Sequence, residues 1–164
     1  MGLYMENLTL NEKFMKMACE IASDNVINGG GPFGCVIVDS SNNIVSKGKN
    51  MVTILNDPTA HAEVVAIRNA CTKVNSFNLN GCTLYTSCEP CPMCLSAIYW
   101  SRIDNIYYGN SRTDAKNIGF DDEFIYDEFS KNIDDRKVKM KRCYETYAIH
   151  SFQFWSNKKD KIEY

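Results

Sequence analysis

Apolar residues recur with a helical period over residues 9–28, where Phe14, Met17, Ala18, Ile21, Ala22 and Val26 fall on one stripe. The run Asn28-Gly29-Gly30-Gly31-Pro32 breaks that period and ends the helix. From Phe33 to Asp39 the apolar positions are nearly continuous, the pattern of a strand buried on both faces. Ser40 to Asn43 is a turn, and Ile44 to Lys49 returns as its hairpin partner. A polar loop, Asn50 to Pro58, leads into a second helix that starts near His61, with Asp57 or Thr59 as cap candidates, and ends near Cys71 or Lys73. Ser76 to Gly81 connects to a short strand, Thr83 to Thr86, followed by a turn and a helix that opens at Cys91 and ends around Trp100. Ile103 to Gly109 reads as a fourth strand, and Thr113 to Phe120 and Asp122 to Ser130 as two short helices. Val138 to Tyr144 is a fifth strand or an irregular arm, and Glu145 to Asn157 is a helix with an aromatic face made by Phe152 and Trp155. The order α-β-β-α-β-α-β-α predicts an α/β fold, a mixed sheet with helices on both faces.

Length and charge narrow the function classes. A chain of 164 residues falls in the single-domain range, so residues 1–164 are expected to share one core. No apolar run reaches membrane-spanning length. The formal net charge is −2, so there is no overall basic field for a nucleic acid. The basic cluster Lys137 to Arg142 alternates with Val138 and Met140 and reads as a solvated strand face at least as readily as a nucleic-acid patch. Met1 to Leu10 shows no basic region followed by an apolar stretch, so a cytoplasmic location is expected. There, eight cysteines point to reduced thiols and metal rather than a disulfide framework. Cys19, Cys35, Cys71, Cys82 and Cys143 stand among apolar neighbours and are expected to be buried small hydrophobes.

The remaining cysteines carry the chemistry. Cys91 and Cys94 are three apart at a helix start, which puts both thiols on one face. Positive potential at the helix N-terminus favours their thiolates, and Pro90 and Pro92 suit that position because a missing N–H there loses no bond. His61, one of two histidines in the chain, begins another helix two residues before Glu63. One His and two Cys make a three-ligand zinc set, and catalytic zinc sites leave the fourth position to water. Cys88 is evenly spaced with the pair and could in principle close the set, but it falls before the Pro90 turn. An open hydrolytic site is the better reading. The plain alternative, a structural zinc module, has no use for Glu63.

His-Ala-Glu at 61–63 followed by Pro-Cys-Pro-Met-Cys at 90–94 resembles the zinc-dependent nucleoside and nucleobase deaminases. Gly30-Gly31-Pro32-Phe33-Gly34, Asn56 to Glu63, Tyr85 to Cys94, Ala97 to Trp100, Gly119-Phe120-Asp121-Asp122 and the terminal Asn157-Lys158-Lys159…Glu163-Tyr164 extend the likeness along nearly the whole chain, to the bacterial guanine deaminases. This resemblance implies a three-layer α/β/α sandwich around a five-stranded mixed sheet, with Zn2+ held by His61, Cys91 and Cys94. It implies hydrolysis of guanine to xanthine and ammonia by zinc-bound hydroxide, with Glu63 as proton shuttle. Asp122 is implied as a second shuttle, although Asp121 or Asp122 is also a good helix N-cap. Asn50 is implied as the amide that reads the purine edge, since a carboxamide offers donor and acceptor together. Phe33 and Trp100 are stacking candidates for the base, though either could be core. In that family the C-terminal segment crosses to a partner subunit, so residues from about 145 to 164 are expected to form a domain-swapped homodimer with Tyr164 closing the neighbour's pocket. Asp160-Lys161-Ile162 lengthens the tail relative to the family pattern, which bears on where Tyr164 falls. A tRNA-specific adenosine deaminase and a cytosine deaminase share the zinc motifs and are the rival enzymes.

Overall fold

The computed structural model describes residues 8–120 and 122–164. They divide into two compact units, Met1–Glu123 and Phe124–Tyr164.

The first unit begins with helix α1, Leu10–Ile27, fixed at its start by a capping box between Thr9 and Glu12. The hairpin of β1 (Gly34–Val38) and β2 (Ile44–Lys49) follows, its turn tightened by Asp39 Oδ1, which accepts the N–H groups of Ser41 at 2.9 Å and Asn43 at 2.8 Å. The loop expected to be irregular contains a single helical turn, α2 (Val52–Leu55), because Asn50 Oδ1 accepts the Val52 N–H at its start. Helix α3 (Ala62–Val74), strand β3 (Thr83–Cys88), helix α4 (Pro92–Trp100), strand β4 (Asn105–Asn110) and helix α5 (Arg112–Asn117) follow.

The sheet runs β2-β1-β3-β4, with β1 antiparallel to both neighbours and β3 parallel to β4. Alternation along the strands divides the core between the two faces. Val36, Val38 and Tyr85 pack with Phe14 and Ala18 of α1. Cys35, Ile37 and Leu84 pack on the other face with Ala62, Ala66, Ile67 and Ala70 of α3 and Ile98 of α4. Helix α3 lies so close to β2 that a Cβ on Gly48 would sit 2.1 Å from the Ala62 carbonyl oxygen, so this strand position must be glycine.

The second unit takes in most of α6 (Glu123–Ser130), a 3₁₀ turn (Ile133–Asp135) and α7 (Glu145–Asn157). No residue of α6 or α7 is buried, and Tyr144, Tyr147, Phe152, Phe154 and Tyr164 are all exposed.

Three expectations need correction. The sheet has four strands among the described residues, because Val138 to Tyr144 is unpaired chain; its alternating Lys137, Lys139 and Lys141 find no ladder to join. Cys143 is exposed, not a buried hydrophobe, while Cys35 and Cys82 are buried and Cys19 and Cys71 half-buried. The cap of α3 is His61 itself, not Asp57 or Thr59. Asp121, offered as a cap of α6, lies outside the described residues.

Candidate active site

Two helix N-termini meet at the ends of β1 and β3. At the first, Cys91 is the N-cap of α4, in extended conformation, with Pro92 directly after it. Its Sγ accepts the Cys94 N–H at 3.5 Å, so the thiol does the capping work of a serine hydroxyl. Cys94, two residues into the helix, is fully buried. At the second, Asp57 Oδ1 accepts the N–H and Oγ1–H of Thr59, shaping the loop that delivers His61 to the start of α3. The His61 side chain makes no capping bond. It turns to the cysteines instead, with Nδ1 3.6 Å from Cys91 Sγ and 3.5 Å from Cys94 Sγ.

These distances fit a metal. Tetrahedral zinc, with Zn–S of about 2.3 Å and Zn–N of about 2.0–2.1 Å, places its nitrogen and sulfur ligands about 3.6 Å apart. The three ligand atoms lie within 4.8 Å of one another, and two soft thiol ligands with one imidazole suit zinc. The two sulfurs differ. The hydrogen bond from Cys94 and the one to His61 outweigh burial and hold the Cys91 thiol down at about 4. Cys94 is pushed up, because its proton is held in the bond to that thiolate and its site is buried beside Glu63. The Cys94 proton is one that a divalent cation would displace. The hydrogen bond to Cys91 raises His61 above its ordinary value, against burial.

Glu63 stands in the first turn of α3, 6% exposed. Oε1 accepts from Thr86 Oγ1 at 3.2 Å and Oε2 accepts from Cys94 Sγ at 3.4 Å. Burial pushes its carboxyl up, and the Cys91 thiolate adds to the rise. A carboxylate poised nearer neutrality beside the ligands has the character of a proton carrier. Asp122 is half-buried, and burial first, then the Cys91 charge, raises its carboxyl too. Opposing them is Arg112, whose guanidinium clamps Glu89 at 2.7 Å and 3.1 Å and thereby braces the turn between β3 and α4.

The structure joins His61, Cys91, Cys94 and Glu63 directly. Asn50 is buried at the end of β2, beside the start of β1. Phe33 is half-buried and meets Phe120 edge-on, with ring centroids 4.9 Å apart. Trp100 is not brought to the ligands: it is 60% exposed at the far end of α4, about 13 Å along the helix from Cys91. Tyr164 belongs to the second unit and is exposed there. Cys88 stays out of the ligand set. Its Sγ faces the Ser111 carbonyl at 3.7 Å, and burial pushes its thiol up to about 11. Thr86 and Arg112 escaped the sequence reading: one looks like any β-strand threonine, and the other meets Glu89 across 23 residues.

Comparison with known proteins agrees with this geometry. The profile described as "Cytidine and deoxycytidylate deaminase zinc-binding region" matches residues 8–110. Guanine deaminase of Bacillus subtilis is 48% identical over 94% of this chain and 99% of its own length. A crystal structure of guanine deaminase from the same organism superimposes with a TM-score of 0.90 at 49% identity, covering 93% of this chain and 98% of that one. The tRNA-specific adenosine deaminase of Haemophilus influenzae is 38% identical, over 74% of this chain and 70% of its own. With the ligand set, the neighbouring glutamate and the matched sequence in one place, this chain is a member of the zinc-binding cytidine and deoxycytidylate deaminase family.

Proposed function

We propose that this protein hydrolyses guanine to xanthine and ammonia, as a zinc-dependent aminohydrolase. The carrying observation is the extent of the likeness. Two tRNA-specific adenosine deaminases match 74% and 79% of the chain, whereas the guanine deaminase of Bacillus subtilis matches 94% of it and 99% of its own length. His61, Cys91 and Cys94 would hold the zinc, which when bound lowers the pKa of a coordinated water and so supplies the nucleophile for C2 of the base. Glu63 takes the proton from the attacking water on one carboxylate oxygen and gives it to N3 of guanine; the Thr86 hydroxyl holds that carboxylate in place. Asp122, raised by burial, serves as a second proton carrier toward the leaving amine. Asn50 binds the purine edge with its amide, and Phe33 packs on the planar ring.

The assembly belongs to the same proposal. An α7 with no buried residue and with Tyr147, Phe152 and Phe154 exposed is more apolar than a free surface helix should be. The segment from about 145 to 164 is swapped onto a second copy, where Tyr164 closes the neighbour's pocket. The enzyme works in the cytoplasm, whose reducing conditions suit eight free cysteines; among the described residues no helix is long and apolar enough to cross a membrane. Xanthine production from guanine by the purified zinc-loaded protein tests the activity. No xanthine from fully loaded protein would refute it.

A further inference from the structure

Asn25 sits on the inner face of α1, 1% exposed, where Ala18 and Ala22 mark an apolar stripe. A buried carboxamide there needs partners that an alanine would not. Its Nδ2 donates to two backbone carbonyls, Gly31 at 2.8 Å and Asn50 at 2.8 Å. Those two acceptors fix the amide's orientation, since a half-turn would set Oδ1 against both of them. Oδ1 in turn accepts from no described group. A buried acceptor without a donor is a net cost to folding. What the residue contributes is the placing of two loops.

One of those loops carries the base-reading amide. Asn50 is held by its N–H, which donates to the Phe33 carbonyl at 3.1 Å, and by Oδ1, which accepts the Val52 N–H at 3.2 Å. Its carboxamide lies against Gly31, where an added Cβ would come 3.2 Å from Cγ and Oδ1. Asn25 closes this arrangement by tying the Gly31 and Asn50 carbonyls to one side chain of α1.

We infer that Asn25 is a positioning residue for substrate recognition: by clamping Gly31 to Asn50, it sets the angle at which the Asn50 amide meets the base. This rests on the role of Asn50 proposed above, and the test separates the two. Steady-state kinetics with guanine are compared for wild type, Asn25→Ala, Asn50→Ala, the double variant and Gly31→Ala, all at matched zinc content. Asn25→Ala should raise KM about tenfold while kcat changes less than about threefold, the loss of one well-formed hydrogen bond to the substrate. Added to Asn50→Ala, it should change kcat/KM less than about twofold, because the residue it acts through is gone. Gly31→Ala, which crowds the same amide with α1 intact, should give the same KM-weighted defect.

An equal loss from Asn25→Ala in both backgrounds, or a loss confined to kcat and tracking zinc content, would overturn the inference. If Asn25→Ala does not fold, Gly31→Ala decides, and an unchanged KM would overturn it. A wild-type KM for Asn50→Ala would remove the reading of Asn50 itself, and the inference with it.

Discussion

Glu63 concentrates the chemistry of the site, and its consequences can be measured separately on activity and on stability. Glu63→Gln keeps the shape and the Thr86 contact but cannot shuttle a proton. Zinc content should stay at the wild-type level while ammonia release falls at least about 10²-fold, the usual weight of a general acid–base group. Stability should move the other way. Burial raises the folded carboxyl above the 4.5 of an exposed glutamate, so its neutral form favours folding below that value, and the benefit is lost as pH rises through the folded value. In chelated protein, Glu63→Gln should therefore melt higher than wild type at pH 7, with the gap closing as pH falls toward 4.5; a gap that widened on acidification would contradict the burial argument. Removing a ligand is a different perturbation. His61→Ala should abolish stoichiometric zinc, checked by metal analysis. The motif residues His61, Glu63, Cys91 and Cys94 were legible in the sequence because their spacing is dictated by two helix starts, a local geometry. Thr86 and Asn25 were not, because what distinguishes them is a contact made across 23 and 25 residues.

At the scale of elements, the site depends on how closely α3 lies on β2. Gly48→Ala would drive a methyl into the Ala62 carbonyl, one residue from His61 and Glu63, and the helix would have to lift. We expect a loss of about 1–3 kcal/mol in denaturant unfolding, the range for overpacking a tight contact, together with weaker zinc retention. Full stability with full zinc would show that α3 has slack. Apart from α2, helix and strand order are readable in the first unit, where periodicity reports burial on one or two faces of a sheet. The pattern leaves two readings, a strand or an irregular arm, where burial fails, and the structure takes the arm. Val138 to Tyr144 alternates like a strand, yet a strand exists only with a partner, and the described sheet stops at β4. The α3 cap differs from the expected one for a chemical reason: Asp57 and Thr59 are better caps than His61, but they are spent on each other. The single turn of α2 depends on the Asn50 side chain, which periodicity does not register.

The whole molecule poses the question of assembly. A second unit without buried residues in its helices is hard to reconcile with a lone chain in water, which is the ground for a swapped dimer. Deleting the residues after Asn157 should leave zinc content intact and cut guanine turnover at least about tenfold, because the pocket loses its closing aromatic; unchanged turnover would remove Tyr164 from the site. The central claim is the substrate. Its most direct test is ammonia release from purified, zinc-loaded protein offered guanine, guanosine, adenine, cytosine and a tRNA anticodon stem-loop in parallel. We expect turnover of guanine and none of the RNA. Reaction with the stem-loop and not with guanine would leave the fold and the ligand set standing, but would contradict the roles given to Asn50, Asp122 and Tyr164.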